Sequence, residues 1–230
     1  MRPILLLHGA LGSSSQLDPL KKALEAGPTG ASVFILNFSG HSGEPFGKEF
    51  GIQTFAEDVL KFLDARRLGQ VDIFGYSMGG YVALWLAHEH PNRIEKIITL
   101  GTKFDWSAAS AEKEVRKLDP EKIQEKVPAF ARILEHRHSP NDWKELLNKT
   151  SAMMLGLGSS PLLTEDIVKS IQHPTLICLG DRDDMADRSY SEKVARQLPH
   201  GKFLLLKDTP HPIEKIDVKS LQEIVASHFG

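Results

Sequence analysis

The chain has 230 residues, 41% of them apolar and 25% charged, with 28 Lys and Arg against 30 Asp and Glu and a formal net charge of −2. That length suits one α/β domain with room for an inserted subdomain. The charge balance gives no argument for binding nucleic acid or an anionic membrane, and no apolar run reaches the about 20 residues that span a bilayer.

The first apolar run, Ile4–Leu7, is broken at once by His8. It is too short for the apolar region of a signal peptide, and it predicts a strand. The loop "HGALGSSSQ" follows. Gly9 lets the chain turn sharply there, so that a backbone amide can face the carboxyl end of the sheet; Ala10 N–H is the first choice for that donor and Leu11 N–H the second. His8 reads as a buried, hydrogen-bonded structural residue. Neither this loop nor the later "SGHSGEPFGKE" is a phosphate loop, since no Gly-Lys-Ser/Thr closes either.

Further short apolar runs predict strands at Val33–Asn37, Val71–Phe74, Ile94–Leu100, Thr175–Leu179 and Lys202–Leu206. Amphipathic stretches such as "TFAEDVLKFLDARRL", "YSEKVARQL" and "VKSLQEIVASHF" alternate with them. This rhythm predicts βαβ units and a doubly wound, mainly parallel sheet of about six strands, with helices on both faces. The expected spatial order is second, first, third, fourth, fifth, sixth, with no hairpin ahead of the first strand. Cys178 lies within "TLICLG" and reads as a core residue. A single cysteine rules out an internal disulfide and suits a reducing, cytoplasmic compartment.

The third run ends in "VDIFGYSMGGYVALWLAHEHP". A strand that becomes a helix within a few residues makes a tight corner. Gly75 and Gly79 allow the close approach, and Ser77 stands at the apex above a helix N-terminus. The amide of Met78 belongs to that first turn. A serine between glycines is often no more than a turn; the strand before it and the helix after it make this one a candidate nucleophile.

From 104 to 164 no strand pattern occurs. "SAEKEVRKL", "PEKIQEKVPAFARILEHR" and "NDWKELLNKTSAMMLGLG" are helical, and Pro120 and Pro128 suit helix starts. The interval is expected to be a helical cap inserted into a core formed by 1–103 and 165–230. Its Trp106, Phe130, Trp143, Met153, Met154 and Leu157 suit either an adaptable apolar pocket or the cap's own core. Leu11, Phe104, Trp106, Met153 and Met154 are taken as the candidate pocket residues.

A serine nucleophile needs a base and a group to orient it, and both should lie at the carboxyl ends of strands. After the fifth strand, "GDRDDMAD" offers Asp183 as first choice and Asp184 as second, with Asp181 shaping the turn; Asp105 in "GTKFDW" is a third candidate. After the sixth, "KDTPHPIEKI" holds His211 between two prolines. His88, His90, His136, His138 and His228 are expected on or near helix surfaces, and the i, i+2 spacing of His136 and His138 argues against a metal site.

With "GYSMGG", the early "HG" loop, "GHSGEPF", "GDRD" and the late "PH" in place, the chain resembles the α/β-hydrolase superfamily over nearly its whole length outside the insertion. The resemblance implies a Ser77–Asp183–His211 triad and an oxyanion hole of the Ala10 and Met78 amides, with no metal or organic cofactor. Pro210 stands where the family often has Gly. A serine in place of the aspartate of dehalogenase relatives argues against dehalogenation. The expected partner is a small-molecule acyl substrate, and the expected reaction hydrolysis of a small or medium carboxylic ester or thioester through an acyl-enzyme. The same triad could instead serve C–C hydrolysis, lyase or perhydrolase chemistry, or survive in a slow-turnover ligand-binding protein. The sequence leaves the acyl group and the oligomeric state open.

Overall fold

The computed structural model describes residues 2–27 and 30–230. Six strands, β1 (Ile4–Leu7), β2 (Val33–Leu36), β3 (Val71–Tyr76), β4 (Ile94–Leu100), β5 (Thr175–Arg182) and β6 (Gly201–Pro210), form one sheet in the order β2-β1-β3-β4-β5-β6. Every neighbouring pair is parallel. Order and direction are those expected from the apolar runs, and β3, β5 and β6 run past the predicted ends into the loops that carry the candidate chemistry.

The helices are α1 (Asp18–Ala26), α2 (Ile52–Ala65), α3 (Met78–Glu89), α4 (Ala108–Val115), α5 (Pro120–Lys126), α6 (Pro128–His138), α7 (Trp143–Ser159), α8 (Glu165–Ser170), α9 (Arg188–Gln197) and α10 (Val218–Phe229). Successive strand residues feed opposite faces of the sheet. Leu5 and Leu7 join Val59, Leu63, Val82, Val168 and Val194, from α2, α3, α8 and α9. Ile4 and Leu6 join Leu20, Leu24, Leu221 and Val225, from α1 and α10. Gly79 and Gly80 each cost α3 about 1 kcal/mol of helix propensity relative to alanine. Val82, Leu84 and Leu86 are fully buried, each contributing roughly 1.5–3 kcal/mol, so burial decides that α3 forms.

Helices α4 to α7 lie between β4 and β5, within the interval 104–164. Pro120 and Pro128 open α5 and α6, and the Asp119 and Asp142 side chains cap α5 and α7. These helices share an apolar cluster that holds Ile123, Leu134, Trp143, Leu146 and Leu147. Trp143 therefore packs into the core of these helices and does not line the cavity described below. The same cluster takes in Leu11, from the loop after β1.

Where the end of α6 meets the loops after β1 and β2 lie three buried histidines, His8, His41 and His138. Ring centroids are 5.0 Å apart for His8 and His41 and 5.7 Å for His41 and His138. The sequence placed His138 on a helix surface. Instead it is wholly buried, because the end of α6 is pressed onto the loops after β1 and β2, while His136 stays exposed. His8 binds Gly9 O through Nδ1 at 2.8 Å and accepts from Phe38 N–H at 3.3 Å, which fixes a neutral tautomer.

Burial pushes His8 and His138 down to about 4, aided for both by the nearby Arg137 charge, and lowers His41 well below its usual value. In the unfolded chain these groups titrate near 6.5. Above that pH both states are neutral and the stability is complete. As the pH falls from 6.5 towards 4, the unfolded chain takes up protons that the folded chain refuses, and stability is lost, on the order of 3 kcal/mol for His8 or His138 taken alone, with His41 acting in the same direction. The urea midpoint is therefore expected to drop steeply between pH 6.5 and 4.5; a flat midpoint across that window would contradict the account.

Candidate active site

At the β3–α3 corner Ser77 has φ 51° and ψ −115°. A non-glycine residue holds such a conformation only where its surroundings enforce it. Here Ser77 N–H donates to Leu100 O at 2.8 Å, and Thr102 Oγ1 donates to Ser77 O at 2.8 Å. Both partners come from the end of β4. Gly79 packs α3 against β1 so closely that a Cβ there would lie 2.5 Å from Leu7 O. The corner cannot accept a side chain at that point without moving the strand or the helix.

The loop after β5 carries Asp183 and the loop after β6 carries His211. Their side chains meet, His211 Nδ1 lying 2.7 Å from Asp183 Oδ2. The other carboxylate oxygen, Oδ1, accepts the amides of Met185 and Ala186, both at 2.9 Å. Burial alone would raise the Asp183 carboxyl. The hydrogen bond and charge of His211, with those two amides, outweigh it and hold the group below the usual carboxylate range. An ionised Asp183 makes Nδ1 the protonated nitrogen of His211 and leaves Nε2 free as a base. The Tyr76 hydroxyl donates to His211 O at 3.1 Å and steadies the loop; burial pushes that phenol well above its usual range.

The other acid candidates are engaged elsewhere. Asp105 is paired with Lys103 Nζ at 2.9 and 3.0 Å. Asp184 is exposed. Asp181 Oδ1 accepts Thr209 N–H at 3.2 Å, a role in the turn.

Ser77, His211, Ala10 and Met78 all line one cavity of about 230 Å³. Among the described residues no hydrogen bond joins Ser77 Oγ to His211, and such bonds often tighten only when substrate is bound. The loop after β1 lies against the serine: a Cβ on Gly9 would be 3.1 Å from Ser77 Cβ. Among the described residues, neither the Ala10 nor the Met78 amide has a hydrogen-bond acceptor, which leaves two donors free at the cavity.

Four of the five candidate pocket residues, Leu11, Trp106, Met153 and Met154, line this cavity. Phe104 does not. It is buried behind the cavity, stacked on Tyr81 with centroids 6.5 Å apart, because the turn after β4 directs its ring into the sheet core. Sequence reasoning missed Lys103, Glu114 and Arg137, which place charge in a mostly apolar wall. Periodicity reads charged residues of loops and helices as solvated and carries no signal that would single these out.

Among the described residues no helix is long and apolar enough to cross a membrane. A family model described as the α/β hydrolase fold matches residues 2–121. A Wickerhamomyces anomalus protein named "Probable alcohol acetyltransferase" is 26% identical over 66% of this chain and 42% of its own length. The pimeloyl-[acyl-carrier protein] methyl ester esterase of Neisseria meningitidis is 23% identical over 92% of this chain and 87% of its own. The chain thus spans less than half of the first relative and most of the second. The crystal structure of a hydrolase from Pseudomonas aeruginosa superposes with a TM-score of 0.76 at 20% identity, over 100% of this chain and 90% of that one. Sheet order, matched residues and superposition agree: the chain belongs to the α/β-hydrolase fold family.

Proposed function

We propose that the protein is a serine hydrolase of small or medium carboxylic esters or thioesters, with Ser77, His211 and Asp183 as its triad and the amides of Ala10 and Met78 as its oxyanion hole. The observation that carries this reading is His211, which Asp183 holds from behind and which lines the same cavity as a strained serine and two amides without acceptors.

In the first step His211 Nε2 takes the proton of Ser77 as its Oγ attacks the acyl carbon. The negative charge moves to the carbonyl oxygen, where the two amides receive it. The bond to the leaving group breaks, and His211 returns the proton to the departing oxygen or sulfur. Water, deprotonated by the same nitrogen, then resolves the acyl-enzyme. Asp183 keeps the ring in the useful tautomer and stabilises its charged form. The esterase and acetyltransferase named above are both acyl-transfer proteins by name, which agrees with this class.

Helices α4 to α7 act in this reading as a cap. Trp106, Met153, Met154 and Leu157 supply the apolar wall that receives the acyl chain. Acetyl, butyryl and octanoyl esters test both parts. At least one should turn over, and Ser77→Ala should abolish that. Met153→Ala and Met154→Ala should each shift the octanoyl-to-acetyl ratio of kcat/KM by up to about tenfold, the scale on which an apolar pocket discriminates chain length. An unchanged ratio with a lowered Tm would mean that these methionines serve only the cap's core.

A further inference from the structure

The cap does more than cover the cavity. Helix α6 ends with two donors on a single backbone oxygen: Arg137 Nη1 lies 2.9 Å from Leu11 O, and His138 Nε2 lies 3.1 Å from it. Leu11 is the residue after Ala10, and its φ of 56° is in the left-handed region, which a leucine keeps only when held there. Its side chain is buried in the cap's apolar cluster. One residue of the loop after β1 is thus gripped by the cap at both its carbonyl and its side chain.

The grip is itself braced. Ser42 N–H donates to His138 Nδ1 at 3.1 Å, so His138 is neutral with its proton on Nε2, directed at Leu11 O. Arg137 Nη2 lies 3.7 Å from Glu214 Oε1, three residues past His211, and Gln16 Nε2 donates to the same oxygen at 2.5 Å. Arg137 therefore spans the cap, the loop that bears Ala10 and the loop that bears His211.

We propose that Arg137 and His138 are positioning residues that set the Ala10 amide for the oxyanion, so that the hole is complete only while α6 is docked on the core. This rests on the serine-hydrolase reading above. It predicts a defect confined to the transition state. A donor that is misaimed loses hold of the developing anion and leaves the bound, uncharged ester unaffected.

The test compares two ligands with turnover. Octaneboronic acid forms a tetrahedral anion on Ser77 and needs the hole; octanol fills the apolar wall and does not. Arg137→Ala and His138→Leu should each lower kcat on an octanoyl ester about tenfold or more, and weaken the boronic acid by the same factor. KM and octanol affinity should stay within about twofold. Arg137→Lys, which keeps a donor, should recover part of the loss. His138 does not line the cavity, so its variant separates an effect through Leu11 from direct contact with substrate. Arg137 lines the cavity, so its variant is read through the ratio of boronic acid to octanol affinity, which keeps the question answerable if His138→Leu proves unstable. Equal weakening of boronic acid and octanol would overturn the inference, as would variants indistinguishable from the parent. A parent protein that neither hydrolyses the ester nor binds the boronic acid would overturn the serine-hydrolase reading itself, and this inference with it.

Discussion

Ser77→Ala is expected to lower turnover on any ester that the parent hydrolyses by about 10⁶. The reasoning starts from chemistry in which the hydroxyl is consumed: without Oγ no acyl-enzyme forms. His211→Ala should cost nearly as much, and the double variant little more than either single one, because nucleophile and base act as one unit. What remains would come from binding and from the amides of Ala10 and Met78, which a side-chain change leaves in place. Steady-state rates of the two single variants and the double variant check this. Losses that multiply would show that Ser77 and His211 act independently, contrary to the mechanism.

Asp183→Asn is expected to lower kcat by about 10⁴ with little change in fold. The amide preserves the shape but can donate to His211 Nδ1 where the carboxylate accepted, and that stabilises the tautomer with its proton on Nε2, where the base is required. Asp105→Asn should do far less, since that carboxylate holds Lys103, and Asp184→Asn less still, since that side chain faces solvent. If Asp105→Asn proved the damaging change, the assignment of the acid to the loop after β5 would be wrong.

Much of this was legible before any coordinates. Each strand of a parallel sheet is buried on both faces and shows as an apolar run, so six runs gave six strands in the right order. The corner at Ser77 was legible because its glycines are demanded by local backbone geometry. The Asp183 and His211 loops followed from their places after β5 and β6. Other features depend on contacts between distant parts of the chain. His138 lies on a helix whose pattern marks it as a surface residue, and only the docking of α6 onto residues more than 90 positions earlier buries it. The positive φ of Leu11 is equally unmarked: no glycine stands at the position, and the contacts to its carbonyl come from Arg137 and His138, far along the chain. Phe104 packs into the sheet core against Tyr81 rather than lining the cavity, a long-range contact that its place after β4 does not signal.

The central claim is that Ser77 is the group that takes the acyl chain. The most direct measurement is the intact mass of the protein after exposure to an organophosphonate, with the modified peptide then located. The account predicts a single adduct, on Ser77, absent from Ser77→Ala and formed more slowly in His211→Ala, where the proton has no acceptor. An adduct on another residue, or equal labelling of Ser77→Ala, would contradict it.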